Sequence, residues 1–149
     1  MRARWRPNVT VAAYIEGPEG LLWVREHTAA GARLNNAAGH LELDDASLVD
    51  AVCREVWEET GRRFEPSALL GVYLGEPRDG LRYLRFAFVG RVGPREREAL
   101  DEGIIETLWL GPAALRERAA ELRSPLVLAG LADYEAGVRH PLTLLNALD

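Results

Sequence analysis

The sequence predicts an α/β domain in which a mixed β-sheet is flanked by helices. Paired apolar segments come before and after one clearly marked helix, and two further helical segments follow. Because the strands occur in neighbouring pairs instead of alternating singly with helices, a mixed sheet is favoured over an all-parallel wound sheet. With 149 residues, 48% of them hydrophobic, the chain has the size of one ordinary domain, so we expect residues 1–149 to share a single core.

The first part of the chain predicts a β-hairpin and a short extended segment. Residues 8–15 (NVTVAAYI) and 21–26 (LLWVRE) have strand composition, and the turn sequence GPEG at 17–20 separates them. The segment 28–36 is rich in Gly, Ala and Asn, which favours a loop. Residues 37–42 (AAGHLE) are expected to be extended and to lead into an acidic turn.

The most clearly marked helix runs from Ser47 to Thr60. Ser47 is an N-cap residue, and Gly61 supplies the C-terminal stop. Its apolar side consists of Leu48, Val49, Val52, Cys53, Val56 and Trp57. Cys53 and Trp57 are therefore interpreted as core residues.

The second part of the chain predicts another hairpin, a further strand and two helices. The hairpin strands are 68–76 and 81–92, and residues 104–110 (IIETLWL) form the further strand. A helix is expected near 112–122 because Gly111 and Pro112 open it. The last helix begins at Ser124 and Pro125 and ends at about residue 136.

Charge and cysteine content narrow the classes of function. The net charge of -5 and the pI near 5.3 give no basic surface for nucleic acid or acidic membranes, so a small-molecule ligand is expected. All 18 basic residues are Arg, whose forked donors suit phosphate. The lone Cys53 excludes an internal disulfide and a Cys-based zinc site, and it fits the reducing cytoplasm. No charge-free apolar stretch is long enough to span a bilayer.

Three carboxylates are crowded at the end of the marked helix. Glu55, Glu58 and Glu59 lie within an arc of roughly 100°. Each is disfavoured by about 0.3–1 kcal/mol at the negative end of the helix dipole. Arg54 can reach Glu58 at the i,i+4 spacing, but one guanidinium cannot neutralise three acids. The alternative is a solvated charged face, whereas clustered carboxylates beside a carbonyl of the preceding AAGH segment would suit Mg²⁺ or Mn²⁺.

Such a metal site has a chemical use. A divalent ion bridges pyrophosphate oxygens, neutralises developing charge and acidifies a bound water that attacks phosphorus. The carboxylate cluster therefore predicts phosphoanhydride hydrolysis.

The segment GHLELDDASLVDAVCREVWEETG (39–61) resembles the signature of the Nudix hydrolases, and its half from Arg54 to Gly61 matches fully. Further segments, PNVTVAAYI, NNAAGHLE, YLRFAF, RSPLV and YEAGVRHPL, resemble the NudJ-type phosphatase branch. The resemblance implies the Nudix α/β/α sandwich with a mixed sheet. It also implies hydrolysis of nucleoside tri- and diphosphates or of hydroxymethylpyrimidine pyrophosphate.

The resemblance implies a role for each position of the motif. Glu55 and Glu59 match the main metal ligands, and Glu58 matches a further ligand or an acid that assists the base. The implied catalytic residues of the motif are Glu58 and Glu59. The carbonyl of Gly39 matches a backbone ligand, and Arg54 matches the supporting residue that holds the glutamates. The implied cofactor is Mg²⁺ or Mn²⁺.

Two departures from the family pattern are present. The interval from Gly39 to Arg54 is one residue longer than in the family, so the position of a further family glutamate falls on Asp45 or Ala46. Asp45 is the candidate substitute. The second departure is NNAA, which stands where the branch usually has a proline.

Candidate residues outside the motif are less specific. Glu102 and Glu106 are candidates for a general base, with solvated loop acids as the alternative; a metal-bound hydroxide would need no separate base. Arg25 and Arg85 are candidates for phosphate contacts, with surface or ion-pair roles as the alternative. The aromatic candidates for stacking on a base, which packing would equally explain, are Trp5, Trp23, Tyr14 and Tyr83.

Two other functions remain open at this stage. One is a pyrophosphatase for ADP-ribose or another nucleoside diphosphate linked to a further group. The other is a catalytically silent Nudix module that binds a nucleotide. The oligomeric state is left open between monomer and homodimer.

Overall fold

The computed structural model describes residues 2–148, and within them seven strands form one sheet beside three α-helices. The strands are β1 (Asn8–Gly17), β2 (Gly20–Thr28), β3 (Gly31–Asn35), β4 (Ala37–His40), β5 (Phe64–Leu74), β6 (Tyr83–Val92) and β7 (Ile104–Leu110). The helices are α1 (Leu48–Thr60), α2 (Pro112–Glu117) and α3 (Pro125–Glu135), with 3-10 turns at Ala119–Glu121 and Leu142–Leu144. None of the helices in this part of the chain has the length and apolar character needed to cross a bilayer.

The sheet is mixed, as the sequence predicts. The main path is β3-β2-β1-β6-β5, with β4 paired to β1 and β7 paired to β2. Only β1 and β6 run parallel among these pairs, and the remaining pairs are antiparallel. The two predicted hairpins, β1–β2 and β5–β6, are both confirmed.

The strands β1 and β2 separate soon after their turn. They pair only from Ile15–Gly17 to Gly20–Leu22, after which β1 pairs with β4 and β2 pairs with β3. Because β6 and β7 occupy the outer edges of this hairpin, β3 and β4 fill the gap between the separating strands. Asn36, the residue between β3 and β4, is fully buried, and its Nδ2 donates to the carbonyl of Ala13 at 3.1 Å. We call this place the fork.

Both faces of the sheet are covered, which confirms the α/β/α sandwich. Alternate residues of the central strands point to opposite sides because side chains in a strand have a period of two. The α1 side is formed by Val11, Ala13, Ile15, Leu22, Val24, Val52, Val56 and Phe88. The side covered by α2 and α3 is formed by Tyr14, Leu21, Trp23, Ala87, Val89, Leu115, Val127 and Leu131. The central strands are therefore continuous apolar runs.

The caps of α1 confirm the predicted helix. Ser47 Oγ accepts from the backbone N–H of Asp50 at 3.0 Å. Gly61 has φ 72°, and its N–H donates to the carbonyl of Trp57. Cys53 is half-buried and packs against the core, as predicted. Trp57 differs from the prediction because it is only partly buried and the guanidinium of Arg63 lies 4.9 Å from its ring centre.

Three predicted boundaries are wrong. The predicted loop 28–36 contains strand β3, which pairs with β2 and is anchored by the fully buried Leu34. Strand β5 begins at Phe64 instead of residue 68, because Phe64 pairs with Val92. The predicted helix 112–122 ends at Glu117 and continues as a 3-10 turn.

Candidate active site

The glutamates of α1 are not a solvated helix face. Glu55 and Glu59 are each only 7% exposed, and the side chain of Glu58 is 32% exposed. The alternative of a freely hydrated acidic surface is therefore wrong for Glu55 and Glu59. Burying a carboxylate is costly unless it is paired, protonated or bound to a cation.

The strand β4 lies directly against these two carboxylates. The backbone N–H of Ala38 donates to Glu59 Oε1 at 3.0 Å. A Cβ atom added at Gly39 would overlap the carboxyl group of Glu55, so any larger residue would force this buried carboxyl group to move. The structure thus brings Gly39 and the glutamates together, whereas the role of the Gly39 carbonyl as a ligand stays a prediction.

Arg54 connects the segment before α1 to the acidic end of the helix. Its Nε and Nη2 each donate to Asp45 at 2.9 Å, and Nη2 also donates to the carbonyl of His40 at 3.0 Å. Its Nη1 donates to Glu55 Oε1 at 2.8 Å and to Glu58 Oε2 at 3.3 Å. These bonds fix the positions of the carboxylates, which supports the predicted positioning role of Arg54.

Asp45, the candidate substitute at the longer interval, contacts Arg54 directly. Its side chain is 6% exposed, and it forms a two-bond ion pair with Arg54. A turn holds it there, because the N–H of Glu42 donates to Asp45 Oδ2 at 2.8 Å and the N–H of Asp45 donates to the Glu42 carbonyl at 3.1 Å. Arg54 therefore lowers the pKa of Asp45, whereas Ala46 is exposed in a bend.

The buried glutamates are short of positive charge. Burial raises the pKa of Glu59 well above its usual value, and the N–H of Ala38 offsets only part of this rise. Burial also raises the pKa of Glu55, although Arg54 opposes the shift. The charge of Asp101 raises the pKa of both groups further. A cation placed here would relieve the repulsion.

The donor atoms fit a hard divalent cation. One oxygen of each glutamate, Glu55 Oε2, Glu58 Oε1 and Glu59 Oε2, accepts no hydrogen bond from residues 2–148. Carboxylate oxygens are the ligands that Mg²⁺ and Mn²⁺ prefer. In the same part of the chain, no three acidic, His or Cys side chains already converge in a coordination geometry. Glu55, Glu58 and Glu59 would therefore supply donor atoms of the right kind for such an ion, although they are not arranged around one here.

The surroundings of the two candidate general bases, Glu102 and Glu106, differ from those of the neighbouring Asp101. Glu102 is exposed at a turn, and Glu106 pairs with Arg25 at 3.4 Å. Asp101 is joined to the helix because its N–H donates to the carbonyl of Glu58 at 2.9 Å. The structure therefore places Asp101, which the sequence reasoning did not select, beside the glutamates. The base role of Glu102 stays a prediction.

The two candidate phosphate-binding arginines have different surroundings. Arg25 pairs with Glu106 at 3.4 Å and with Glu121 at 3.2 Å, which is the ion-pair alternative. Arg85 is 5% exposed and donates to Asn36 Oδ1 at 2.7 Å. Arg85 is therefore neither a surface residue nor part of an ion pair within residues 2–148.

Two of the four aromatic candidates for stacking are core residues. Tyr14 is 1% exposed and donates to the carbonyl of Val127, and Trp23 is fully buried with its Nε1 donating to the carbonyl of Leu110. Packing therefore explains both. Trp5 and Tyr83 are exposed, so their surfaces remain accessible.

Glu26 is a further buried acid that the sequence reasoning missed. It is 7% exposed, accepts from Asn35 and Arg123, and its charge raises the pKa of Glu59. The period of two in β2 offered a signal, because Glu26 follows Leu22 and Val24, whose side chains lie on the α1 side.

Comparison with known proteins agrees with this geometry. The family model described as the NUDIX domain matches residues 6–129. The phosphatase NudJ of Escherichia coli strain K12 is 35% identical over 146 residues, covering 95% of this chain and 92% of that protein. A NUDIX hydrolase structure from Nitrosomonas europaea has a TM-score of 0.90 and 41% identity, covering 96% of this chain and 98% of that chain.

A more distant structure shares the fold. The MutT protein from Methanosarcina mazei Go1 has a TM-score of 0.68 at 21% identity, covering 91% of this chain and 99% of that chain. The matched family model, the NudJ relative and the sandwich with its acidic helix lead to one assignment: this chain belongs to the Nudix family and is a Nudix hydrolase.

Proposed function

We propose that this protein is a Mg²⁺-dependent pyrophosphohydrolase in which Glu55, Glu58 and Glu59 hold the metal, with Mn²⁺ as a substitute. When bound there, the ion supplies charge neutralisation for the diphosphate and lowers the pKa of a water. Glu58 is the most accessible of the three, so we assign to it, as the alternative to a ligand role, that of the acid that assists the base.

The observation that carries this proposal is the burial of Glu55 and Glu59 without enough positive charge. Arg54 contacts Glu55 and Glu58, but Glu59 receives only a backbone N–H. If these positions served only to fill the core, apolar residues of similar volume would often make the protein at least as stable as buried charges do. A bound divalent cation would compensate the negative charge of the cluster and so explain why these buried glutamates are present.

We propose two leading substrate classes, which are nucleoside tri- or diphosphates and a small pyrimidine pyrophosphate such as hydroxymethylpyrimidine pyrophosphate. The 35% identity to the phosphatase NudJ over most of both chains supports a phosphatase of this kind. Cleavage of ADP-ribose or another nucleoside diphosphate derivative is the second candidate. The structures titled UDP-X diphosphatase and ADP compounds hydrolase are 19% and 16% identical, so they support only the shared fold.

A silent nucleotide-binding module is the rival from another class. Such a domain would not need three clustered glutamates with one free oxygen each. The longer interval from Gly39 to Arg54 is the one feature in favour of this rival, and the ion pair between Asp45 and Arg54 weakens it. We further propose that residues 1–149 form one Nudix domain, that it acts in the cytoplasm as a monomer or homodimer, and that it binds no nucleic acid.

The test is a substrate panel with Mg²⁺, Mn²⁺ or EDTA, in which phosphate and pyrophosphate are resolved as products. Glu59→Gln should lose turnover by at least about a hundredfold, because a ligand of the ion that stabilises the transition state is removed. Its far-ultraviolet circular dichroism should stay unchanged. Glu65→Gln, at an exposed site, is the matched control. Binding of panel nucleotides without metal-dependent turnover would reject hydrolysis in favour of the silent module.

A further inference from the structure

Arg85 is a buried cation in an unusual position. On β6, Phe86 and Phe88 lie on the α1 side and Ala87 lies on the other, so Arg85 starts from the side covered by α2 and α3. Its guanidinium ends at the fork, where Nη2 donates to Asn36 Oδ1 at 2.7 Å and to Asn35 Oδ1 at 3.5 Å.

No carboxylate within residues 2–148 lies at ion-pair distance from this guanidinium. Glu26 is connected to it only through Asn35, and the same Glu26 oxygen accepts from Arg123 at 2.7 Å. Two amide oxygens are thus the partners of a charge that is 95% shielded from solvent, whereas Arg25 and Arg54 each contact several acids. A buried charge without a counterion is costly for the fold.

Two donors of Arg85 are still available. Its Nε and Nη1 make no hydrogen bond to residues 2–148. Every fully buried side-chain nitrogen or oxygen in this part of the chain has a partner. Since these two nitrogens lack one, they must account for part of the small exposed fraction of Arg85. An acceptor from outside residues 2–148 would therefore meet the guanidinium at these two nitrogens.

We propose that Arg85 binds a phosphate oxygen of the substrate at the fork, with Asn35 and Asn36 holding the guanidinium in place. An anion is favoured over a neutral carbonyl group because it supplies the missing counter-charge as well as two acceptors for the guanidinium edge. This inference rests on the proposed function, since it assigns the phosphate-binding part of the same substrate site.

Arg85 is connected to the acidic cluster through the neighbouring strands β1 and β4. Arg85 aligns with Thr10 on β1, and Thr10 aligns with His40 on β4, next to the glycine that packs on the acidic cluster. Two strand spacings separate the Cα atoms of Arg85 and His40 by about 10 Å. The negative charge of Glu26 also favours the protonated forms of both Arg85 and Glu59. Arg85 therefore lies two strands away from β4, which packs against the glutamates.

The test measures binding without metal or turnover, so its failure is separate from failure of the hydrolysis proposal. Phosphate and pyrophosphate are titrated in EDTA into the wild type, Arg85→Gln and Arg91→Gln by calorimetry. Arg91 lies on the same strand but is exposed, which makes it the matched control. We expect saturable binding in the wild type and in Arg91→Gln, and at least about tenfold weaker binding in Arg85→Gln. Equal binding in all three proteins, or none in the wild type, would overturn the proposal.

A second measurement does not depend on the folding of Arg85→Gln. The Nε–H resonance of Arg85 in the wild-type protein is assigned by its loss in Arg85→Lys and followed by nuclear magnetic resonance. Addition of phosphate should move this resonance with the same saturation as the calorimetric titration. A stationary resonance contradicts the proposal, as does a shift caused by uridine but not by phosphate, which would assign the fork to the base.

Discussion

Replacing Asp45 with asparagine tests whether the ion pair with Arg54 holds the active site together. Asp45 accepts two hydrogen bonds from Arg54, both at 2.9 Å, and is 6% exposed. The asparagine side chain would keep one acceptor and present an NH₂ group where the second acceptor was. Hydrogen bonds to charged groups contribute about 1.5–3 kcal/mol each. Because Arg54 retains its bonds to His40 and Glu55, we expect a loss of about 2 kcal/mol in the free energy of unfolding.

The pH dependence of this loss can be worked out from the pKa of Asp45. Arg54 lowers that pKa below its usual value of 3.8. The stabilisation is therefore present above the unfolded value and is lost as the pH falls through the lower folded value. The difference between wild type and Asp45→Asn should be constant at neutral pH and should shrink below about pH 4.

The assay is urea unfolding followed by tryptophan fluorescence, with Asp44→Asn as the matched control at the adjacent exposed position. The Mg²⁺ concentration for half-maximal hydrolysis should also rise at least about tenfold in Asp45→Asn, because partners that orient metal ligands have effects of this size. If the free energies of unfolding of the two variants agree within about 0.5 kcal/mol at pH 7, Asp45 does not hold Arg54 as described.

Three further predictions concern the acidic cluster. In EDTA, the free energy of unfolding of the wild type should fall as the pH rises above about 4.5, because burial raises the pKa of Glu59 and the stabilising neutral form is lost through that raised value. In urea titrations from pH 4 to 8, Glu59→Gln should flatten this fall, and parallel curves for the two proteins would contradict the raised pKa. Gly39→Ala should cost about 1–3 kcal/mol in thermal unfolding, since its Cβ would overlap the Glu55 carboxylate, whereas Gly93→Ala, where nothing lies within 4 Å, should change little. Asp101→Asn should move the acidic limb of the kcat/KM profile to lower pH, because it removes a negative charge that raises the pKa of Glu55 and Glu59. Glu102→Gln, at an exposed position, should leave that limb in place. A loss of kcat confined to Glu102→Gln would instead support Glu102 as the base.

The sequence predicted the elements that have strong local signals. The cap residue Ser47 and the left-handed Gly61 set the ends of α1, and both act as expected. Strand β3 was missed because Gly31, Ala32 and Asn35 have weak strand preference. Its pairing with β2 is a tertiary effect that overrides composition.

The candidate site was predicted in part. The spacing of Glu55, Glu58 and Glu59 showed that they share one side of α1, but it could not show that two of them are buried, because this depends on the close approach of β4. The position of Asp101 next to the helix also needed the fold. Neighbouring acids in a turn have no periodicity that tells which one faces the helix.

The guanidinium of Arg54 has a consequence for how this motif varies between proteins. The guanidinium binds whichever carboxylate lies next to it. The number of residues between that acid and Arg54 can therefore change, as long as the turn brings the carboxylate back to the same position. Here the interval is one residue longer, yet Asp45 still meets Arg54, and Ala46 lies exposed in a bend before the helix cap. A pattern defined by fixed spacing would overlook such a chain, although the connection between its segments is intact.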